Sequence, residues 1–167
     1  MSIVKLRAME PEDLDFLYNM ENDHEVWNVG NTNVPYSRYV LHDYIANATN
    51  DIYHDGQVRL IVENEEGKTV GMADVFDFNA QHRRAEISIV INRNYRQRGY
   101  AEAAITQIAE YSRRTLHLFQ LYAIVAENNN PSRRLFEKTG FKHAATLEKW
   151  LFDGEKYENA IFFQRFL

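Results

Sequence analysis

Arg93, Arg96 and Arg98 lie close together in a chain whose formal net charge is -5, and they lead directly into Gly99-Tyr100-Ala101-Glu102. The segment follows the apolar run Ala85–Ile91 and opens a stretch of helical periodicity, so it reads as a strand, a turn and a helix start. The first amides of a helix have no intrahelical acceptor, and the macrodipole adds partial positive charge there. Such a turn holds a phosphate or pyrophosphate through backbone N–H groups. Gly99 lets the backbone come close, Ala101 keeps the first turn narrow, and the arginines supply charge. As a bare pattern, Arg96-x-x-Gly99-x-Ala101 also describes a plain helix cap with a solvated basic turn, so its weight comes from the strand–turn–helix setting. A P-loop and the three-glycine dinucleotide fingerprint are both missing. About thirty residues on come Asn129-x-x-Ser132 and Glu137-Lys138-Thr139-Gly140-Phe141, where Asn130-Pro131-Ser132 opens a short helix that ends at Gly140, a residue suited to a left-handed cap.

The elements that must position these groups follow from periodicity. Ile3–Arg7 alternates as a strand, and Glu10-Pro11-Glu12-Asp13 starts a helix carrying Leu14, Leu17 and Tyr18. Residues 28–35 read as a polar loop and 36–48 as a weaker helix. Val58–Val62 and Thr69–Phe78 flank a turn at Glu65–Lys68, and Asn79–His82 turns the chain into Ala85–Ile91, a strand buried on both faces. Ala101, Ala104, Ile105, Ile108, Ser112 and Leu116 form a narrow stripe on one helical face. Leu121–Val125 is then a buried strand parallel to the earlier one, across a helical crossover. Phe141–Phe152 and Tyr157–Phe166, joined through Asp153-Gly154, close the chain as a hairpin. The expected fold is α/β: a mixed, mostly antiparallel sheet of about seven strands with about four helices on both faces, in one domain spanning residues 1–167.

The 167 residues are 45% hydrophobic and 26% charged and contain no cysteine, which excludes disulfides, thiolate metal sites and a cysteine nucleophile. The six histidines show no metal-ligand spacing, so no metal is expected. The acidic balance argues against nucleic acid as a partner. No apolar stretch reaches the length of a membrane span or a signal sequence, so a cytoplasmic location and no membrane partner are expected.

With both motifs and the element order in place, the chain resembles the GNAT superfamily of N-acetyltransferases over nearly its whole length. Within it, Leu6-Arg7-Ala8, Val62-Glu63-Asn64, His82-Arg83-Arg84-x-Glu86 and Gly99-Tyr100-Ala101 are similar to the bacterial spermidine N-acetyltransferases. The resemblance implies acetyl-CoA as co-substrate, a small amine as partner and no covalent intermediate. It also implies that backbone groups of Ile89, Val90 and Ile91 bind the pantetheine arm like an added strand, and that an amide there faces the thioester oxygen. Arg96, Gln97, Arg98, Gly99, Tyr100, Ala101 and Glu102 would hold the diphosphate. Asn129, Ser132 and Phe136 would line the other side of the arm. A homodimer or higher homo-oligomer is expected by the same analogy.

Transfer requires a neutral amine, and only about one alkylamine in a thousand is neutral at pH 7. Glu86 is the candidate base; the alternative is that it pairs with Arg83, Arg84 or a backbone amide and braces the sheet. Asp74 and Asp77 fall where the resemblance places acids for a cationic acceptor. Two positions depart from the family. Phe136 stands where many members carry a tyrosine that protonates the leaving thiolate, which leaves water, Ser132 or Tyr122 as donors. Gly30-Asn31-Thr32-Asn33 stands where the spermidine enzymes tend to carry paired acids. Two other functions remain beside acetylation of a polyamine: acetylation of a protein N-terminus, and acyl-CoA binding without turnover.

Overall fold

A computed structural model describes residues 2–27 and 34–167. The β-branched runs form its centre. Strands β1 (Val4–Ala8), β2 (Val58–Asn64), β3 (Thr69–Asn79) and β4 (Arg84–Ile91) pair in chain order, each antiparallel to the next. Strand β5 (Gln120–Ala126) lies parallel to β4, and β6 (Lys142–Phe152) and β7 (Tyr157–Phe166) complete the sheet in the order β1-β2-β3-β4-β5-β7-β6. The expected seven-stranded mixed sheet is present, with its single parallel pair across the predicted helical crossover.

The four expected helices are α1 (Leu14–Glu21), α3 (Arg38–Asn47), α5 (Tyr100–Arg114) and α6 (Asn130–Lys138). Two one-turn helices add to them: α2 (His24–Trp27) and α4 (Ile52–Asp55). Ser37 starts α3 by accepting a hydrogen bond from the Val40 amide at 3.1 Å. Before α1, Pro11–Asp13 is a 3-10 turn whose Asp13 receives both terminal nitrogens of Arg7, at 2.8 and 2.9 Å.

The two sheet faces are covered differently. Ala104, Ile105, Ile108 and Ala109 of α5 pack with Ala85, Ile87 and Ile91, and Phe136 of α6 packs with Phe163, all in the main core. On the opposite face Leu17 and Met20 of α1 and Leu41 of α3 pack on Met72 and Val90. These N-terminal helices cover the β1–β4 half only. The β5–β7–β6 half of that face is left as an open cavity lined by Tyr122, Trp150 and Phe162.

Candidate active site

The parallel pairing of β4 and β5 is brief. Arg84, Ala85 and Glu86 oppose Gln120, Leu121 and Tyr122, and beyond that point the strands continue to Ile91 and Ala126 without facing one another in register. The result is a wedge in the sheet with Glu86 and Tyr122 at its apex. On its other edge β4 is fully engaged. The Asn92 amide donates to the Val70 carbonyl at 2.8 Å, and strand alternation then turns the backbone groups of Val90 and Ser88 toward β3. Agreeing with this, a Cβ built on Gly71 would lie 2.5 Å from the Val90 carbonyl oxygen. Ile89 and Ile91 therefore point their backbone groups into the wedge. Of the three residues expected to bind a ligand through the backbone, Val90 is corrected: its amide and carbonyl belong to the β3 ladder.

The turn after β4 is where an anion site is expected. Arg93–Tyr95 is a 3-10 turn, Gln97 and Gly99 both adopt left-handed φ, at 62° and 81°, and Gly99 is the N-cap of α5. The first intrahelical bond runs from Ala103 to the Gly99 carbonyl at 3.0 Å, and no side chain caps the helix start. The amides of Tyr100, Ala101 and Glu102 are thus presented outward. The Tyr100 ring is buried in the core, so its backbone alone is exposed at this turn. The Glu102 carboxylate pairs with Lys138 of α6 at 2.6 Å, which leaves its backbone amide as the group at the helix start. Arg96 donates from Nε to the Ile91 carbonyl at 3.1 Å and pairs with Glu25 at 3.3 Å. Arg98 lies over the Tyr95 ring, 5.5 Å from its centroid.

Across the wedge, Asn129 caps α6 by accepting from the Ser132 amide at 3.2 Å, so both residues sit at the helix start as expected. Phe136 does not line a binding surface. It is 3% exposed, edge-on to Phe141 at 5.1 Å and stacked over Phe163 at 6.0 Å. An aromatic ring without a hydroxyl gains most by entering the core, which is where Phe136 lies.

The acids divide as well. Asp74 binds Arg59 through both oxygens, at 2.7 and 2.8 Å, and Arg59 also pairs with Glu21. One guanidinium is shared by two carboxylates, so the cluster keeps a net negative charge, but both Asp74 oxygens are held by Arg59 and Asp74 does not line the open cavity. Asp77 sits at the bulge between Phe76 and Asn79 with φ 47°, and it accepts a hydrogen bond from the Tyr122 hydroxyl. Glu86 lies between them, opposite Phe76 on β3 and Tyr122 on β5. Burial, reinforced by the negative charge of Asp77, pushes the Glu86 carboxyl up to about 7, while the Ile124 backbone works the other way. Of the candidate bracing partners for Glu86, the Ile124 backbone does hydrogen-bond the carboxyl, whereas Arg83 and Arg84 form no ion pair with it; the Arg83 Nε instead donates to the His117 carbonyl at 2.7 Å. The open cavity beside it, about 490 Å³, is walled by Tyr122, Trp150 and Phe162 with Asp77 at its edge. Trp150 and Phe162 were not singled out in the sequence; both belong to the closing hairpin, whose aromatic content was the available signal.

A family model described as an acetyltransferase (GNAT) domain matches residues 4–142. The chain belongs to this family. It is 31% identical to spermidine N(1)-acetyltransferase of Escherichia coli K12 over 95% of this chain and 83% of that protein. A structure of spermidine N-acetyltransferase from Vibrio cholerae in complex with CoA and spermine is similar with a TM-score of 0.85 and 26% identity, covering 98% of this chain and 95% of that one. A dodecameric structure of the Vibrio cholerae enzyme is similar with a TM-score of 0.81 and 27% identity, over 98% and 94% of the two chains. As a GNAT acetyltransferase, the chain uses acetyl-CoA as its acetyl donor. Gly30–Asn33 lies outside the described residues. Among the described residues no group of His, Asp or Glu has the arrangement of a metal site, and no helix is long and apolar enough to cross a membrane.

Proposed function

We propose that this chain moves the acetyl group of acetyl-CoA directly onto a primary amine of a polyamine such as spermidine. The observation that carries the reading is the position of Glu86. It stands at the apex of the β4–β5 wedge, on the face that opens into the aromatic cavity edged by Asp77. In this reading the amides of Tyr100 to Glu102, with Arg96 and Arg98, hold the diphosphate. Ile89 and Ile91 align the pantetheine arm along β4, and one of their amides stabilises the oxyanion. Asn129 and Ser132 bound the other side of the arm.

The acceptor enters on the α1/α3 face. Aromatic walls and a carboxylate attract an alkylammonium by cation–π and charge contacts. The Glu86 carboxylate takes one proton from the ammonium, whose nitrogen then forms the bond to the acetyl carbonyl carbon. The carbon–sulfur bond breaks, the thiolate leaves, and the amide nitrogen loses its second proton to solvent or to the thiolate. With Phe136 buried, the hydroxyl near the apex is that of Tyr122. The resemblance to polyamine enzymes supports the acceptor class, and the dodecameric relative supports a homo-oligomer, for which the exposed Trp150, Phe152 and Tyr157 of the closing hairpin supply a surface. We place the enzyme in the cytoplasm, as one domain over residues 1–167.

An acceptor panel tests this. Purified protein with acetyl-CoA should release free thiol with spermidine or spermine and give the acetylated amine by mass spectrometry. Turnover with peptides carrying free N-termini, and none with polyamines, would replace the polyamine by a protein N-terminus. Tight CoA binding with no thiol release from any amine would leave a binding protein.

A further inference from the structure

Asp77 holds a backbone conformation that sequence-local forces do not explain. Its φ of 47° is left-handed, and the ladder between β3 and β4 breaks register there, between Phe76 and Asn79. Aspartate tolerates that region better than most residues, yet the conformation is still unfavourable and persists only where surrounding contacts fix it. The contact is the Tyr122 hydroxyl, which donates to Asp77 Oδ2 from β5, across the strand that carries Glu86. Tyr122 is itself anchored. It is 8% exposed, and its ring stacks on Phe162 with centroids 5.1 Å apart. A bulge re-aims a side chain, and here it turns a carboxylate back over the neighbouring strand.

Glu86 lies beneath this bridge, in register with Tyr122. The groups around it are few. From β3 come Asp77 and Asp74, the second already bound to Arg59. From β4 comes Arg84, two positions along on the same face, and from β5 comes Tyr122. From α1 and α3, Glu21 and Tyr44 are turned to Arg59, by an ion pair and a ring contact. The charge that bears directly on the Glu86 carboxyl is that of Asp77. Burial and that carboxylate keep the phenol of Tyr122 protonated, so the bridge is a neutral donor on an ionised acceptor.

We propose that Asp77 and Tyr122 are a positioning pair for Glu86: the hydroxyl fixes the Asp77 carboxylate at the bulge, and that fixed charge sets when Glu86 takes the proton from the incoming amine. The inference rests on Glu86 being the base. Asp77 acts through Glu86; the proton passes from the ammonium to the Glu86 carboxylate, and Asp77 and Tyr122 end the step as they began it.

The pH dependence of kcat/KM tests it, with saturating acetyl-CoA and the best amine of the panel above. The rate of the parent should rise with pH through an acidic limb centred near the Glu86 value of about 7. Asp77→Asn keeps an acceptor for the hydroxyl and removes the charge, so the limb should move down by about one pH unit. Tyr122→Phe keeps the charge and removes the anchor; Asp77 then turns to solvent at its exposed bulge, and the limb should move the same way. The double variant should shift no further than Asp77→Asn alone, because one bridge is being cut twice. Calorimetric CoA affinity should match the parent in all three, as the phosphate turn lies elsewhere. Limbs that stay at the parental pH in both single variants, or a general loss of rate with no displacement, would overturn the pair's role. Glu86→Gln separates the two ideas. Loss of the limb there, with unmoved limbs in the other variants, overturns the pair alone. A limb that survives in Glu86→Gln, or a parent enzyme that turns over no amine, overturns Glu86 as base and the pair with it.

Discussion

Glu86 shows how one carboxyl links stability to chemistry. In the unfolded chain it titrates near 4.5, and in the folded protein near 7. Between those values the folded protein keeps a proton that the unfolded chain has released. Folding is therefore favoured below the lower value, and that contribution is lost as pH rises through the upper one. Half-burial moderates the size, and an effect of about 1 kcal/mol corresponds to about 2–4 °C in a chain of this length. Glu86→Gln should melt with the parent at pH 4.5 and about 2–4 °C above it at pH 8, as read by calorimetric scans at both pH values. An unchanged difference across the range would mean the carboxyl is solvated. Gly99 offers a second test at this scale. With φ at 81°, a β-branched side chain is strained by about 1–2 kcal/mol, and its Cβ would meet Ile3 Cδ1 at 3.5 Å while distorting the turn that presents the amides of α5. Gly99→Val should lower the melting temperature by a few degrees and weaken CoA binding at least about tenfold by calorimetry.

At the scale of elements, β4 is a frame whose pairing with β3 leaves Ile89 and Ile91 facing the wedge. Gly71 permits the close approach of the two strands. A Cβ there would lie 2.5 Å from the Val90 carbonyl oxygen and 2.6 Å from Ile91 Cδ1. Gly71→Ala must push β3 and β4 apart, with a loss of about 1–3 kcal/mol and weaker CoA binding although no ligand-facing group has changed. Chemical denaturation with calorimetry on the same sample checks both; full stability with full affinity would show that the strands relax without cost. These elements also mark how far the sequence could be read. The runs Val58–Val62, Ala85–Ile91 and Leu121–Val125 announced themselves because buried strands need β-branched residues whatever their neighbours do. The turn at Gly99 was legible because helix-start chemistry is local. Helices α2 and α4 were not, since a single turn carries no period. Nor was the fate of the acids. Asp74 is claimed by Arg59, fifteen positions away on the adjacent strand, and Asp77 by Tyr122 across β4, so both depend on register. Phe136 was legible as a missing hydroxyl but not as a buried ring, because its surroundings come from Phe141 and the distant Phe163.

Across the whole molecule, the N-terminal cap and the phosphate turn are joined by charge. Asp23 and Glu25, at the start of α2, meet Arg93 at 3.0 and 3.8 Å, and Glu25 meets Arg96 at 3.3 Å. The Glu25 amide and Arg93 together hold the Asp23 carboxyl below the usual carboxylate range. A diphosphate arriving at α5 competes with these carboxylates for the same guanidinium groups. An exposed pair of this kind is worth between nothing and about 1 kcal/mol, so releasing one adds at most about fivefold in affinity. The Asp23→Asn, Glu25→Gln double variant should bind CoA about two- to fivefold more tightly by calorimetry at low ionic strength. The gain should fade at about 0.5 M salt, where the Debye length is only a few ångströms. Lowering the overall negative charge also helps an anion bind, so a control must carry the same charge change elsewhere. Glu148→Gln with Glu155→Gln, on the exposed hairpin, supplies it and should leave the affinity near that of the parent. Weaker CoA binding in the Asp23, Glu25 variant would reverse the assignment: the acids would then be holding Arg93 and Arg96 in the posture that receives the phosphates.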